Sequence, residues 1–348
     1  MNEVAPRGDD SMKALTITGP SVAQVTQISE PTPAHDQVLV RVQRVGLCGS
    51  DLNTFLGKNP MVTYPRVLGH EVAGTIVELG SGVEADWRVG ADVTFTPYTA
   101  CGVCPSCSAG RRNACRNNKT MGVQRDGALT ELVAVPYQKL FTSRRLSLTE
   151  LALVEPFSVG FHAAARGRVE AEETVLVMGC GGVGLGAIAG AVSRGARVIA
   201  LDTQEEKLGL ARALGAREAV QSNADARERV MDLTNGDGPD VVIEAVGAVA
   251  TYRDAVEWVK FCGRVVYIGY GKEPVSYETK LFVMKELDIL GSRNCMGEFS
   301  DVIAFFERRT FDPNLLISKT IPIEGVPEAL ADWAAYPGRT AKIMVGLS

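Results

Sequence analysis

Hydrophobic and polar residues alternate with a period of two in short stretches near the start of the chain. Residues 14–18, 23–28 and 37–45 follow this pattern with Pro and Gly between them, which predicts strands. Residues 67–80 and 91–96 continue in that style. The first 155 residues therefore read as mostly β with long loops, holding no helix of more than about two turns. The rhythm changes after Glu155. An apolar run at 174–178 predicts a buried strand, a glycine-rich turn follows, and a small-residue helix covers 183–194. A second strand is expected at 197–202, then a helix at 205–214 closed by Gly215 as a C-terminal cap. Strands at 240–246, 263–269 and 287–291 are separated by helical segments near 224–234, 251–261 and 276–286. Strands alternating with helices predict βαβ units on a parallel sheet. Helices at 299–309 and 325–335 and a strand at 341–345 close the pattern. The fold class is thus α/β, a doubly wound parallel sheet joined to a β-rich domain.

Composition narrows the function. At 348 residues, two domains are the natural expectation. Hydrophobic residues make up 46% and charged residues 22%, as in an ordinary globular chain. A net charge of −5, spread along the chain, offers no basic stripe for nucleic acid and no polybasic membrane patch. Apolar runs stay far short of the roughly 20 residues that span a bilayer. A small molecule, rather than nucleic acid or membrane, is the expected partner. Residues 1–11 are polar and read as a disordered leader. No secretion signal is visible, so the expected location is the cytoplasm.

The turn Gly179-Cys180-Gly181-Gly182-Val183-Gly184 leaves a strand and opens a helix. Gly179 and Gly181 allow a tight turn and a close backbone approach, Gly184 lets the helix lie on the sheet, and the helix N-terminus offers N–H groups to a pyrophosphate. Asp202 lies 18 residues beyond Gly184 at the end of the next strand, where a carboxylate binds ribose hydroxyls and repels a 2′-phosphate. The expected cofactor is NAD.

Eight cysteines in a chain without a secretion signal argue against disulfides. Cys101, Cys104, Cys107 and Cys115 give C-x2-C-x2-C-x7-C, and four thiolates at that spacing can close around a tetrahedral zinc. Such a closed site has no place for substrate, so the expected role of this lobe (about 97–118) is structural. Of the three histidines, His70 stands in Gly69-His70-Glu71, and Cys48 precedes Gly49-Ser50-Asp51. Spacing alone leaves two readings open, a ligand pair or a buried cysteine and a surface histidine. Glu155 falls where the β-rich part hands over to the alternating part, and a cleft is often found at such a junction.

Together, 46–51, 69–71, the four-cysteine lobe, Glu155-Pro156 and 179–184 resemble the zinc-dependent medium-chain dehydrogenase/reductase family over nearly the whole chain from Met12. The chain looks most like the sorbitol dehydrogenase-like polyol and sugar-acid branch, because Glu155 stands where alcohol dehydrogenases proper have cysteine. The resemblance implies a GroES-like catalytic domain from 12–156 and 290–348, with a Rossmann domain over 157–289 inserted between. It implies two zincs per chain. One is catalytic, on Cys48, His70 and a carboxylate from Glu155 or Glu71, and the other is structural. Ser50 is then the first proton acceptor, and Asp51 braces His70. Asn53 stands where many relatives carry a relay histidine, and Thr54 where sorbitol dehydrogenases carry a tyrosine, so sorbitol itself is not the expected substrate. Thr54, Glu155, Arg293 and Asn294 are carried over as substrate residues, an arginine being able to clamp a carboxylate. Lys207 is placed for the adenosine end of NAD, with a solvated lysine as the alternative. His162, in Phe161-His162-Ala163, is read as a packed core histidine on a helix, His35 as an exposed turn residue, and Cys180, Cys262 and Cys295 as core or turn residues.

The expected activity is NAD-linked oxidation of a secondary alcohol on a sugar acid, like gulonate or galactonate 5-dehydrogenases, in a homotetramer or homodimer. The alternatives are a polyol or 2,3-diol dehydrogenase, a zinc-free enone reductase on the same fold, and a non-catalytic NAD sensor.

Overall fold

The computed structural model describes residues 11–271, 273–336 and 342–347. Most of the expected leader, and residue 341 of the expected closing strand, lie outside these residues. The chain forms two compact units. One draws on Met1–Ala100, Asn117–Leu153 and Ile317–Ser348, the other on Cys101–Arg116 and Val154–Leu316.

The first unit is built on a seven-stranded sheet. In sheet order its strands are Lys319–Pro322, Ile343–Gly346, Gln37–Leu47, Glu71–Leu79, Asp92–Phe95 and Leu140–Phe141, with Leu132–Pro136 also paired to Gln37–Leu47. A three-stranded sheet of Val22–Ser29, Ser11–Gly19 and Arg66–Val67 completes it. Period-two patterning explains these strands, since inward residues such as Leu15, Ile17, Val40, Val72 and Ile76 join one core. The expected strand at 67–80 is broken at Leu68-Gly69-His70, where Gly69 takes φ +99° and redirects the chain. The strand Ile343–Gly346 lies antiparallel to Gln37–Leu47, with Ile343 opposite Leu47, while Gly46 on that strand faces Glu71 on the next.

The second unit carries a parallel sheet in the order Glu218–Gln221, Arg197–Asp202, Thr174–Met178, Val241–Glu244, Arg264–Tyr267, Asp288–Gly291. Numbered along the chain this order is 3-2-1-4-5-6, the doubly wound arrangement in which strand order reverses beside the first strand. The expected helices at 183–194, 205–214, 224–234 and 251–261 are found as Gly182–Ser193, Glu205–Ala213, Ala226–Leu233 and Val249–Trp258. The one expected at 276–286 shortens to Lys280–Met284. The helix expected around His162 is Val154–Arg166, and it packs against Gly182–Ser193.

Packing sets the division elsewhere than the expected 156/157 and 289/290. Residues up to Leu316 join the second unit, and so does the cysteine lobe. Asp288–Gly291 is the edge strand of the parallel sheet, so a boundary at 289 would cut through a hydrogen-bonded strand. Among the described residues, no helix is long and apolar enough to cross a membrane.

Candidate active site

Cys48 is the N-cap of the helix Gly49–Phe55, in extended backbone at φ −105° and ψ 158°. Asp51, at the third helical position, accepts the Cys48 N–H through Oδ2 at 2.8 Å. This reciprocal cap fixes the direction of the Cys48 side chain. His70 follows the bend at Gly69, and Glu71 begins the next strand. One ligand atom from each of Cys48, His70 and Glu71 lies within 4.8 Å of the others. His70 is 5% exposed and Glu71 fully buried. Ser50 Oγ lies 3.4 Å from His70 Nε2, and Asp51 Oδ1 lies 3.8 Å from His70 Nδ1. Burial pushes the Asp51 carboxyl above the usual carboxylate range, and the neighbouring His70 opposes that rise.

A thiol, an imidazole and a carboxylate form a donor set suited to zinc. The carboxylate is already engaged. Lys342 Nζ donates to Glu71 Oε1 at 2.7 Å and Oε2 at 2.6 Å, and also to the Leu47 carbonyl at 3.2 Å. Gly46 makes this possible, because a Cβ there would meet Glu71 Oε2 at 2.1 Å. Lys342 comes from 271 residues downstream, and sequence reading did not find it. Its position is a consequence of the strand Ile343–Gly346 lying beside Gln37–Leu47.

Other expected site residues fall in different settings. Glu155 is in the first turn of Val154–Arg166, 3% exposed, within the second unit. Thr54 is fully buried, and its hydroxyl donates to the Ser50 carbonyl at 2.9 Å. Arg293 is half-buried. Asn294 adopts φ +53°, and its side-chain amide donates to the Asn113 carbonyl at 3.3 Å.

In the lobe, Cys104 Sγ lies 3.5 Å from Cys107 Sγ and 3.9 Å from Cys115 Sγ, and Cys115 Sγ lies 3.6 Å from Cys101 Sγ. A tetrahedral zinc with bonds of about 2.3 Å spaces its sulfurs about 3.8 Å apart, so these four fit one ion. Backbone N–H groups of Arg116 and Cys107 hold the Cys104 thiol down to about 6, whereas burial pushes Cys107 up to about 11. The Cys101 N–H points at Cys115 Sγ, 3.3 Å away.

The dinucleotide turn has the expected geometry. Gly179 takes φ +93°, and a Cβ on Gly184 would sit 1.8 Å from the Gly179 carbonyl oxygen, so neither position tolerates a side chain. Gly181 caps the helix Gly182–Ser193. Val183 is half-buried in its first turn, as is Gly182. Asp202 accepts the Cys180 N–H at 2.7 Å and the Gln204 N–H at 2.9 Å, which moors the turn to the neighbouring strand. Lys207 is half-buried on the helix that follows.

His162 is buried as expected, but both ring nitrogens are engaged, Nδ1 by Glu298 and Nε2 by Asn113. Sequence reading missed those partners. Burial pushes the Cys180 and Cys295 thiols up to about 12, in keeping with small core residues. Cys262 is exposed in a left-handed turn, and His35 is exposed beside Ser81.

Comparison with known proteins shows the family. Residues 34–145 match the alcohol dehydrogenase GroES-like domain, and residues 182–308 match the zinc-binding dehydrogenase domain. The chain is 34% identical to a zinc-type alcohol dehydrogenase-like protein of Haemophilus influenzae, covering 96% of this chain and 98% of that one. It is 32% identical to the L-galactonate-5-dehydrogenase of Escherichia coli, over 91% and 94% of the two chains. A solved zinc-binding dehydrogenase from Sinorhizobium meliloti bound to NADP superposes with a TM-score of 0.90 at 32% identity, covering 97% of this chain and 99% of that one.

Proposed function

The chain belongs to the zinc-type alcohol dehydrogenases, and from that membership we propose that it catalyses NAD-linked, reversible oxidation of a secondary alcohol on a sugar acid of the gulonate or galactonate kind. The observation that carries the chemistry is the gathering of Cys48, His70 and Glu71 around one point. Zinc held there supplies Lewis acidity that lowers the pKa of a substrate hydroxyl, and the nicotinamide supplies the hydride acceptor.

The protein's own groups do the rest. Ser50 Oγ, beside His70 Nε2, would accept the substrate's hydroxyl proton as it gives up its own. Asn53 has no titrating group to extend that relay. Asp51 holds the His70 ring from the Nδ1 side. Because Lys342 engages both oxygens of Glu71, a metal on Cys48 and His70 would meet a carboxylate that is already restrained. Asp202, at the end of its strand, favours NAD, because a 2′-phosphate would face like charge. Arg293 supports an anionic substrate, and the likeness to an L-galactonate-5-dehydrogenase points the same way.

The test is a panel of hexonates, alditols and 2,3-diols, followed by NADH absorbance with NAD and with NADP, alongside metal analysis. Turnover of a hexonate with NAD by protein holding two zincs is the expected result. Turnover confined to alditols or diols would overturn the sugar-acid reading, and preference for NADP would overturn the role of Asp202. One zinc per chain would favour an enone reductase.

A further inference from the structure

A buried hydrogen-bonded chain within the second unit ties the cysteine lobe to the segment that carries Arg293. Asn113 lies in the short turn Arg112–Ala114, two residues before Cys115, and is 6% exposed. Its Nδ2 donates to the Arg293 carbonyl at 2.8 Å and stands 3.0 Å from His162 Nε2. Its backbone carbonyl receives the Asn294 amide at 3.3 Å. His162 Nδ1 is 2.7 Å from Glu298 Oε1, and the other Glu298 oxygen accepts the Met296 N–H.

Counting donors gives this chain one arrangement. The Asn113 amide nitrogen has two hydrogens, one for the Arg293 carbonyl and one for His162. Nε2 must then accept, which leaves the ring hydrogen on Nδ1 to donate to the Glu298 carboxylate. Asn113 Oδ1 is buried with no hydrogen-bond partner among the described residues, so the amide is oriented by its two donors. Asn294 adopts φ +53°, in the left-handed region that asparagine enters more readily than most residues, and a side-chain bond fixes it there.

We propose that Asn113 is a positioning residue, through which the cysteine lobe sets the place of Arg293 and with it the fit of the substrate's anionic end. This rests on the reading of Arg293 as a substrate contact. The lobe then does more than stabilise its own loop. The fold-back that gathers four sulfurs also places the amide that grips residues 293 and 294, and His162 and Glu298 fix that amide from the other side.

The test uses the zinc-loaded enzyme. Asn113→Asp keeps the size of the side chain but turns an oxygen toward the Arg293 carbonyl. Amide hydrogen exchange over residues 292–298 should quicken about tenfold, and KM for the acid substrate should rise about tenfold, with kcat within about twofold and NAD affinity unchanged. Asn294→Ala removes one tie from outside the lobe and should shift both readouts the same way by less. It decides the matter if Asn113→Asp fails to fold. Unchanged exchange in the folded variants overturns the proposal. Arg293→Lys separates the two readings. If exchange quickens in Asn113→Asp but neither it nor Arg293→Lys alters acid KM, the tie stands and the substrate reading falls. If Arg293→Lys raises KM while Asn113→Asp moves neither readout, the tie falls and the substrate reading stands.

Discussion

The two cysteine-containing clusters solve different problems with similar atoms. The lobe draws four sulfurs from fifteen residues of one loop, at separations close to the edges of a zinc tetrahedron. Every donor is spent, so a metal there is saturated. The other cluster draws Cys48 from a helix cap and His70 and Glu71 from the start of a strand. Its carboxylate is already restrained by Lys342. A local loop can close a coordination shell completely. Donors brought from separate elements leave the shell open, and neighbours such as Asp51 and Lys342 can then adjust each ligand.

Four substitutions probe that contrast. The largest expected effect is at the open cluster. Cys48→Ser should lower kcat/KM on the order of a thousandfold, because Lewis-acid assistance is worth several kcal/mol, while the lobe keeps its zinc and NAD still binds. Elemental analysis with steady-state kinetics checks this, and a variant retaining near-normal turnover would break the contrast. Cys115→Ser should act on stability instead. Loss of the lobe zinc should lower the thermal midpoint by roughly 5 °C or more, read by calorimetry, with Cys48 and His70 still holding their metal. Equal loss of both metals would show that the sites are not independent.

Asp51→Asn keeps an acceptor for the Cys48 N–H but removes the charge behind His70. Zinc affinity at the open cluster should fall by about 10–100-fold in chelator competition, with lobe zinc unaffected. The smallest effect is expected from Lys342→Met, which frees Glu71. The visible spectrum of the cobalt-substituted enzyme should change, and kcat should shift by about threefold, comparable to a modest change in one ligand's charge. An unchanged spectrum would mean that Lys342 does not govern access of Glu71 to the metal.

What could be read in the sequence follows from range. Five of the six strands of the parallel sheet and the glycine turn are encoded in short stretches and appear where the pattern predicts them, and the lobe's four sulfurs gather as their spacing predicts. The helix around His162 is legible, but its start at Val154 falls where the β-rich pattern ends, and that boundary is not. The helix Leu148–Ala152 has no place in the β-rich reading, although Ser147-Leu148-Thr149-Glu150 carries a capping-box signature. The strands Glu218–Gln221 and Lys319–Pro322 are four residues each, too short to show alternation. Cys48, His70 and the lobe cysteines could be named because their residue types signal metal. Lys342, Asn113 and Glu298 could not. They are ordinary residues whose importance comes from partners 271, 49 and 136 positions away.

Lys342 has one more consequence, in the order of synthesis. The central strand Gln37–Leu47 has Glu71–Leu79 on one side and Ile343–Gly346 on the other. On the ribosome, the second unit's parallel sheet is complete once Gly291 has emerged. The first unit must wait about fifty more residues for its missing strand, as contacts distant in sequence close late. Until then Lys342 cannot reach Glu71, and Cys48, His70 and Glu71 lie beside an unfinished sheet. The parallel sheet of the nascent chain is thus complete before the sheet beside the open cluster.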